Sequence, residues 1–361
     1  MMKGPGRIAA GVVLWAVAGV AALDAQDSRR ARERAVDSLL ADYAVPGAPG
    51  ASVVVVQRGR VVFERAYGLA DVAARTPATP RTDYRLASLT KQFTATAIML
   101  LAQDGRLSYD DPASRFLPSL PAHARGVTIR NLLNHTSGLW DYEDFVPDTQ
   151  TYQVKDRDAL ALIARADSLY FPSGSAYRYS NTGYALLALV VESVSGMPFA
   201  RFLDARIFRP LGMRGSVAFE EGVSAVPLRA FGHSRDSTGW RRTDQSNTSA
   251  VLGDGGVYTS VDDLVRWDRA LERHTLVGAA AQQVAWTPAT LTSGGSTEYG
   301  FGWFVRREER GLRVWHTGET RGFRNAILRY PDERLTVIVL TNRNEGRPIG
   351  IAERVADVFR H

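Results

Sequence analysis

Strand-like segments crowd both ends of this chain and helical ones fill its middle, and few folds accommodate that order. Near the start, Ala51–Gln57 and Arg60–Tyr67 are Val-rich runs around Arg58-Gly59, which reads as a hairpin. Near the end, Tyr299–Arg307, Gly311–Thr317, Phe323–Tyr330 and Arg334–Thr341 are strand-like, and Gly346–Phe359 closes the chain as a helix. Between them run helical patterns at Thr128–Leu133, Asp156–Leu169, Ala185–Ser195, Ala200–Phe208 and Val261–Arg273, the last capped by Ser260. The order predicts an α+β (α/β) fold: one antiparallel sheet built from both termini and flanked by helices, with a helical domain inserted. The sheet part would take residues 26–85 and 298–361, and the mostly helical part 86–297.

The inserted part begins with Tyr84–Ala102, which from Leu89 on lacks Pro and Gly, is rich in Ala, Leu and Met, and stops at Asp104-Gly105. It is apolar almost all round after Phe93, which predicts a buried central helix. Ser88 and Lys91 stand at its start, three residues apart and so on one face. Burial favours the neutral amine, which could take the proton of the Ser88 hydroxyl, and the helix start offers free N–H groups beside the seryl oxygen. Taken alone, Ser-x-x-Lys is more often a capping serine with a surface lysine. Here the lysine has apolar neighbours, and Lys3, Lys91 and Lys155 are the only lysines in a chain whose other basic residues are arginines.

The chain has no cysteine, which excludes disulfides, thiolate catalysis and Cys-ligated metals. Its formal charge of +6 comes from scattered arginines that form no run, so nucleic acid is not an expected partner. Lys3 and Arg7, then the apolar run Ile8–Leu23, then Ala25 have the layout of a signal peptide over residues 1–25. The run is shorter than the ~20 residues of a membrane span. The expectation is a periplasmic or secreted protein with no stable membrane span after cleavage.

Other candidates are weaker one by one. His135, in Asn134-His135-Thr136-Ser137-Gly138, could be a base but suits a turn histidine bonded to backbone. Trp140–Tyr152 mixes aromatics with Asp141, Glu143, Asp144 and Asp148, and could line a cleft or be ordinary surface. Tyr179 and Asn181 sit on a loop abutting a buried helix, where a lone tyrosine would be packing. Gly253-Asp254-Gly255-Gly256 lacks the Lys and strand context of a phosphate loop, and suits close backbone packing.

Three pieces line up in order: Ser88-Leu89-Thr90-Lys91, Tyr179-Ser180-Asn181 and His316-Thr317-Gly318. Together they resemble the signature of the penicillin-recognising serine hydrolases, which include class C β-lactamases, DD-peptidases, D-aminopeptidases and esterases. The resemblance implies a β-lactamase/transpeptidase-like fold and an acyl-enzyme on Ser88, with Lys91 and Tyr179 sharing the proton traffic. It also implies that Asn181 bonds the substrate amide or holds Lys91. The oxyanion would lie between the N–H groups of Ser88 and Glu319, and Gly318 would leave room for the substrate backbone. No metal or cofactor is implied. The resemblance also implies that His316 and Thr317 face the cleft and bind substrate; His316 stands where class C β-lactamases carry Lys, and Glu319 would repel a substrate carboxylate unless Arg321 and Arg324 compensate. The expected substrate is therefore an ester or amide, small molecule or peptide, with cell-wall D-amino-acid peptides among the candidates. The alternatives are a β-lactamase and a non-catalytic cell-wall peptide-binding protein. Oligomeric state is not legible.

Overall fold

A computed structural model describes residues 26–147 and 149–360; the expected signal peptide and Asp148 lie outside the described residues. Residues 26–39 form helix α1. The hairpin follows as strands β1 (Ala51–Gln57) and β2 (Arg60–Tyr67). Arg58 and Gly59 both take positive φ, 52° and 74°, as a two-residue turn matched to strand twist requires. Strands β3 (Phe304–Glu308), β4 (Gly311–Thr320), β5 (Phe323–Tyr330) and β6 (Leu335–Thr341) complete one six-stranded antiparallel sheet in the order β3-β4-β5-β6-β1-β2. The two ends of the chain meet at its centre, where Ala51 pairs with Thr341 and Gln57 with Leu335. Four consecutive valines suit β1 to that place, because a central strand covered on both sides needs apolar residues on both.

Strand alternation then divides the core. Val53, Val55, Val337 and Val339 face α1 and the closing helix α5 (Pro348–Arg360), meeting Val36, Ile351 and Val355. Val54, Val56, Ile327 and Ile338 face the inserted domain. There α2 (Lys91–Gln103) is buried from Lys91 to Leu101 with no exposed face. Burial of its Phe93, Ile98, Met99 and Leu101 contributes roughly 2 kcal/mol each. It packs on α3 (Asn181–Ser195), which Gly196 ends at φ 73°. Helix α4 (Val261–Glu272) starts at Ser260, whose hydroxyl accepts from the Asp263 N–H at 3.2 Å.

The expected architecture is present, with differences in extent. Tyr299–Trp303 is not strand: Gly300 presses on the Ala285 carbonyl, and Gly302, at φ 76°, lies against the Lys91 carbonyl. β4 runs on through Gly318 to Thr320. The expected helix over Asp156–Leu169 stops at Ile163. A small three-stranded sheet joins Tyr84–Arg85, Val257–Thr259 and Val217–Ala218, tying the chain before Ser88 to the chain after Asp254.

Candidate active site

Ser88 lies in a single 3-10 turn, Ala87–Thr90, that leads into α2. Ala87 takes φ 51° to swing the chain out of Tyr84–Arg85, a conformation that costs a residue with a Cβ roughly 1–2 kcal/mol. Next to Ser88 the fully buried Lys91 has three partners: Ser88 Oγ at 3.0 Å, Asn181 Oδ1 at 2.8 Å and the Asp254 carbonyl at 3.0 Å. Its Nζ also lies over the rings of Tyr179 and Tyr184, 5.0 and 5.5 Å from their centroids. Asn181 is the first residue of α3, and Asp141 Oδ2 accepts from its N–H at 2.7 Å. Ser88, Lys91, Tyr179 and Asn181 are thus brought together from segments about ninety residues apart.

The Asp254 carbonyl is itself held. Asp156 accepts from the N–H groups of Leu252 and Gly253, both at 2.9 Å, and Thr94 Oγ1 donates to the Gly253 carbonyl at 2.6 Å. At Gly253 a Cβ would sit 2.2 Å from the Tyr184 carbonyl, so the glycine run does serve close packing.

Strand β3 pairs with β4 only as far as Trp315. Beyond it, the strand carrying His316, Thr317, Gly318 and Glu319 packs against the Ser88 turn. Ser88 and Glu319 line one small open cleft, with Tyr142, Glu143, Asn181 and Asp254. Two of the motif residues play different parts from those expected. A Cβ at Gly318 would lie 2.0 Å from the Leu86 carbonyl, so the room it leaves is filled by the chain just before Ser88 and not by substrate. His316 faces this side of the sheet but is buried, and both ring nitrogens are engaged within the protein. Its Nδ1 lies 2.6 Å from the Thr317 carbonyl, which can only accept, so the proton sits there and Nε2 accepts from the Tyr299 hydroxyl at 2.9 Å. Burial first, and Lys91 second, push its pKa down to about 3. It is a neutral, capped histidine with no nitrogen left for a ligand.

His135 is bound to backbone, its Nδ1 accepting from the Ser180 N–H at 3.2 Å, and burial keeps it neutral. Thr317 is half-buried. Glu319 is exposed, and Arg324 pairs with it at 3.3 Å. Arg321 reaches the Gln245 carbonyl. Arg85 borders the cleft but donates to the Ser249 carbonyl at 2.9 Å and to the Ser249 hydroxyl. The cleft therefore has little free positive charge beyond Lys91.

What sequence reasoning missed is an acidic wall. Tyr142 donates to Asp254 Oδ2 at 2.9 Å. Burial pushes the Asp254 carboxyl up to about 8, with Glu143 and Asp156 adding to burial and Lys91 opposing it. Burial, then Asp141, raises Glu143 as well. The loop's acidic residues were visible, but which of them turn inward was not.

A hydroxyl beside a buried amine, at the mouth of a sheet edge, suits acyl transfer through serine, and with this fold it defines a serine hydrolase. The chain belongs to the beta-lactamase family, whose model matches residues 33–358. It is 32% identical to penicillin-binding protein 4* of Bacillus subtilis over 338 residues, 85% of this chain and 74% of that one. It is 31% identical to a D-aminopeptidase of Gluconobacter oxydans, covering 91% of this chain but 62% of the relative's length. Among solved structures, the D-amino acid amidase of Ochrobactrum anthropi superposes with a TM-score of 0.77 at 25% identity, covering 91% of this chain and 98% of that one. The octameric penicillin-binding protein homologue of Pyrococcus abyssi superposes with a TM-score of 0.79 at 28% identity, covering 91% and 76%.

Proposed function

We propose that this protein is an exported hydrolase that forms an acyl-enzyme on Ser88 and cleaves an amide or ester of a substrate bearing a free amine, D-amino acid amides and short D-peptides foremost. The observation that carries the reading is the set of contacts around Lys91. Two of its three partners, Asn181 Oδ1 and the Asp254 carbonyl, can only accept, and the third is the Ser88 hydroxyl. A neutral amine spends its two N–H groups on the acceptors and turns its lone pair to the Ser88 proton. Ser88 Oγ then attacks the acyl carbon, the leaving amine or alcohol takes the proton back, and water repeats the sequence on the ester. Tyr179, over the same amine, shares in the transfer. The N–H groups of Ser88 and Glu319 would take the oxyanion.

The acidic wall supports the amine. Burial raises the Glu143 and Asp254 carboxyls even with Lys91 opposing it, and a substrate ammonium in the cleft would favour the ionised form of both. A substrate carboxylate would instead meet the Glu143 carboxyl, while Glu319 is offset by its pair Arg324. The names of the relatives, D-aminopeptidase and D-amino acid amidase, agree with that preference.

The test is turnover of D-phenylalanine amide beside its N-acetyl derivative, with Ser88→Ala as control. Expected are Ser88-dependent hydrolysis and at least tenfold lower kcat/KM for the acetylated compound, a difference that Glu143→Gln narrows. Equal turnover of the two, or faster clearance of a penicillin adduct than of either, would overturn the amine assignment. Turnover by Ser88→Ala would overturn the nucleophile.

A further inference from the structure

Tyr142 joins the two segments whose acceptors hold Lys91. Its main-chain N–H donates to Thr182 Oγ1 at 2.7 Å, and Thr182 Oγ1 donates in turn to the Trp140 carbonyl at 2.8 Å. Those bonds stitch the acidic loop to the start of α3, next to Asn181. Its hydroxyl crosses to the other segment and donates to Asp254 Oδ2 at 2.9 Å. Glu143 Oε1, 3.5 Å from the same hydroxyl, is too far away to compete. The titratable groups that bear on the Asp254 carboxyl are Lys91, Glu143, Asp156 and Tyr142. Lys91 bonds the Asp254 carbonyl and not the carboxyl, Asp156 is spent on the N–H groups of Leu252 and Gly253, and Glu143 repels it. Tyr142 is the one of the four that donates to it. Oδ1 takes no hydrogen bond from the described residues, and Asp254 lines the Ser88 cleft.

We propose that Tyr142 is the positioning residue that makes the site selective for an amine: its hydroxyl occupies Asp254 Oδ2 and so leaves Oδ1 turned to the substrate's ammonium. This rests on the amine reading of the Ser88 cleft and names the residue that sets it. A carboxylate only accepts, whereas a protonated carboxyl must also donate, so a donor fixed at Oδ2 favours the charged form. Burial pushes the Asp254 carboxyl up to about 8, and Lys91 and Tyr142 work against burial. An ammonium pairs with the charged form. Without the hydroxyl, Asp254 stays protonated to higher pH and loses the bond that fixes its orientation. A phenylalanine ring would fill the same space; the hydroxyl is what reaches Asp254.

The test is Tyr142→Phe, assayed on D-phenylalanine amide and its N-acetyl derivative beside the wild-type protein, with Asp254→Asn and the double variant completing a cycle. Expected for Tyr142→Phe is about a tenfold loss of kcat/KM on the amine, carried mostly by KM, with the amine-to-acetyl ratio narrowing to match. The loss should be larger at pH 7 than at pH 9, where the hydroxyl matters less to the ionisation of Asp254. Once Asp254→Asn is in place, removing the hydroxyl should change the ratio by less than about twofold, as for two residues acting as a unit. A wild-type amine preference that Tyr142→Phe leaves intact would overturn the inference alone. So would losses that simply multiply in the double variant, or a loss equal at both pH values, since each marks a role in packing only. No amine preference in the wild-type protein, or no turnover of either compound, would overturn the amine reading and the inference with it.

Discussion

Replacing Gly318 by alanine separates two explanations of the same glycine. If the missing Cβ makes room for substrate, Gly318→Ala raises KM and leaves the fold and the reactivity of Ser88 alone. The packing says otherwise. The new Cβ would stand 2.0 Å from the Leu86 carbonyl and 3.1 Å from Leu89 Cδ1. The first contact is to backbone two residues before the nucleophile, so strand and turn must part by about 1 Å before real contact distances return. A misplacement of that size costs on the order of a hundredfold in rate, and overpacking of this kind about 1–3 kcal/mol of stability. The assay is the labelling rate of Ser88 by a small fluorophosphonate, which needs no room at the strand for a peptide, together with urea unfolding. Both should fall. Leu89→Ala, which removes the side-chain contact but not the carbonyl, should fail to rescue either. Labelling at the wild-type rate in a variant of unchanged stability would refute the packing argument and restore the substrate one.

Stability should decline as pH rises from 6.5 to 8. Burial lifts Asp83 and Asp156 to about 7 and Asp254 to about 8, far above an unfolded carboxyl, so the native state holds protons that the unfolded chain has lost. Releasing them costs about 3 kcal/mol over that window, while His135, His233 and His316, kept neutral by burial, return about 1 kcal/mol as the unfolded histidines deprotonate. A urea midpoint at pH 8 equal to or above that at pH 6.5 would contradict this sign. Asp156→Ala strands the buried N–H groups of Leu252 and Gly253 and should cost about 2–5 kcal/mol. Because the same shelf holds the carbonyl behind Lys91, kcat should fall about tenfold or more with KM little changed. Asp156→Asn, which keeps one acceptor, should recover part of both, and a loss confined to stability would deny the link to Lys91.

The sequence by itself determined whatever depends on near neighbours. Ser88 and Lys91 share a face because three residues nearly complete a helical turn, and Arg58-Gly59 turns because the flanking valine runs demand a strand pair. The Val-rich runs on either side of Arg58-Gly59 announced a hairpin, and the segregation of strands to the two ends announced one sheet built from the termini; the structure then placed β1 at the centre, buried on both faces. Tertiary structure decided the rest, because the deciding partner lies far along the chain. Alternation along β4 puts His316 and Gly318 on the buried face, but only the docked Tyr299 and Leu86 make the first a capped neutral ring and the second a packing necessity. No local pattern marks the Asp254 carbonyl as a lysine ligand 163 residues from Lys91, since any residue has a carbonyl and only the fold aims this one. The acidic loop after Trp140 was visible as composition, yet Glu143 gains its raised carboxyl from burial and from Asp141 beside it. Burial is a property of the whole chain, and it was the one quantity these motifs could not carry.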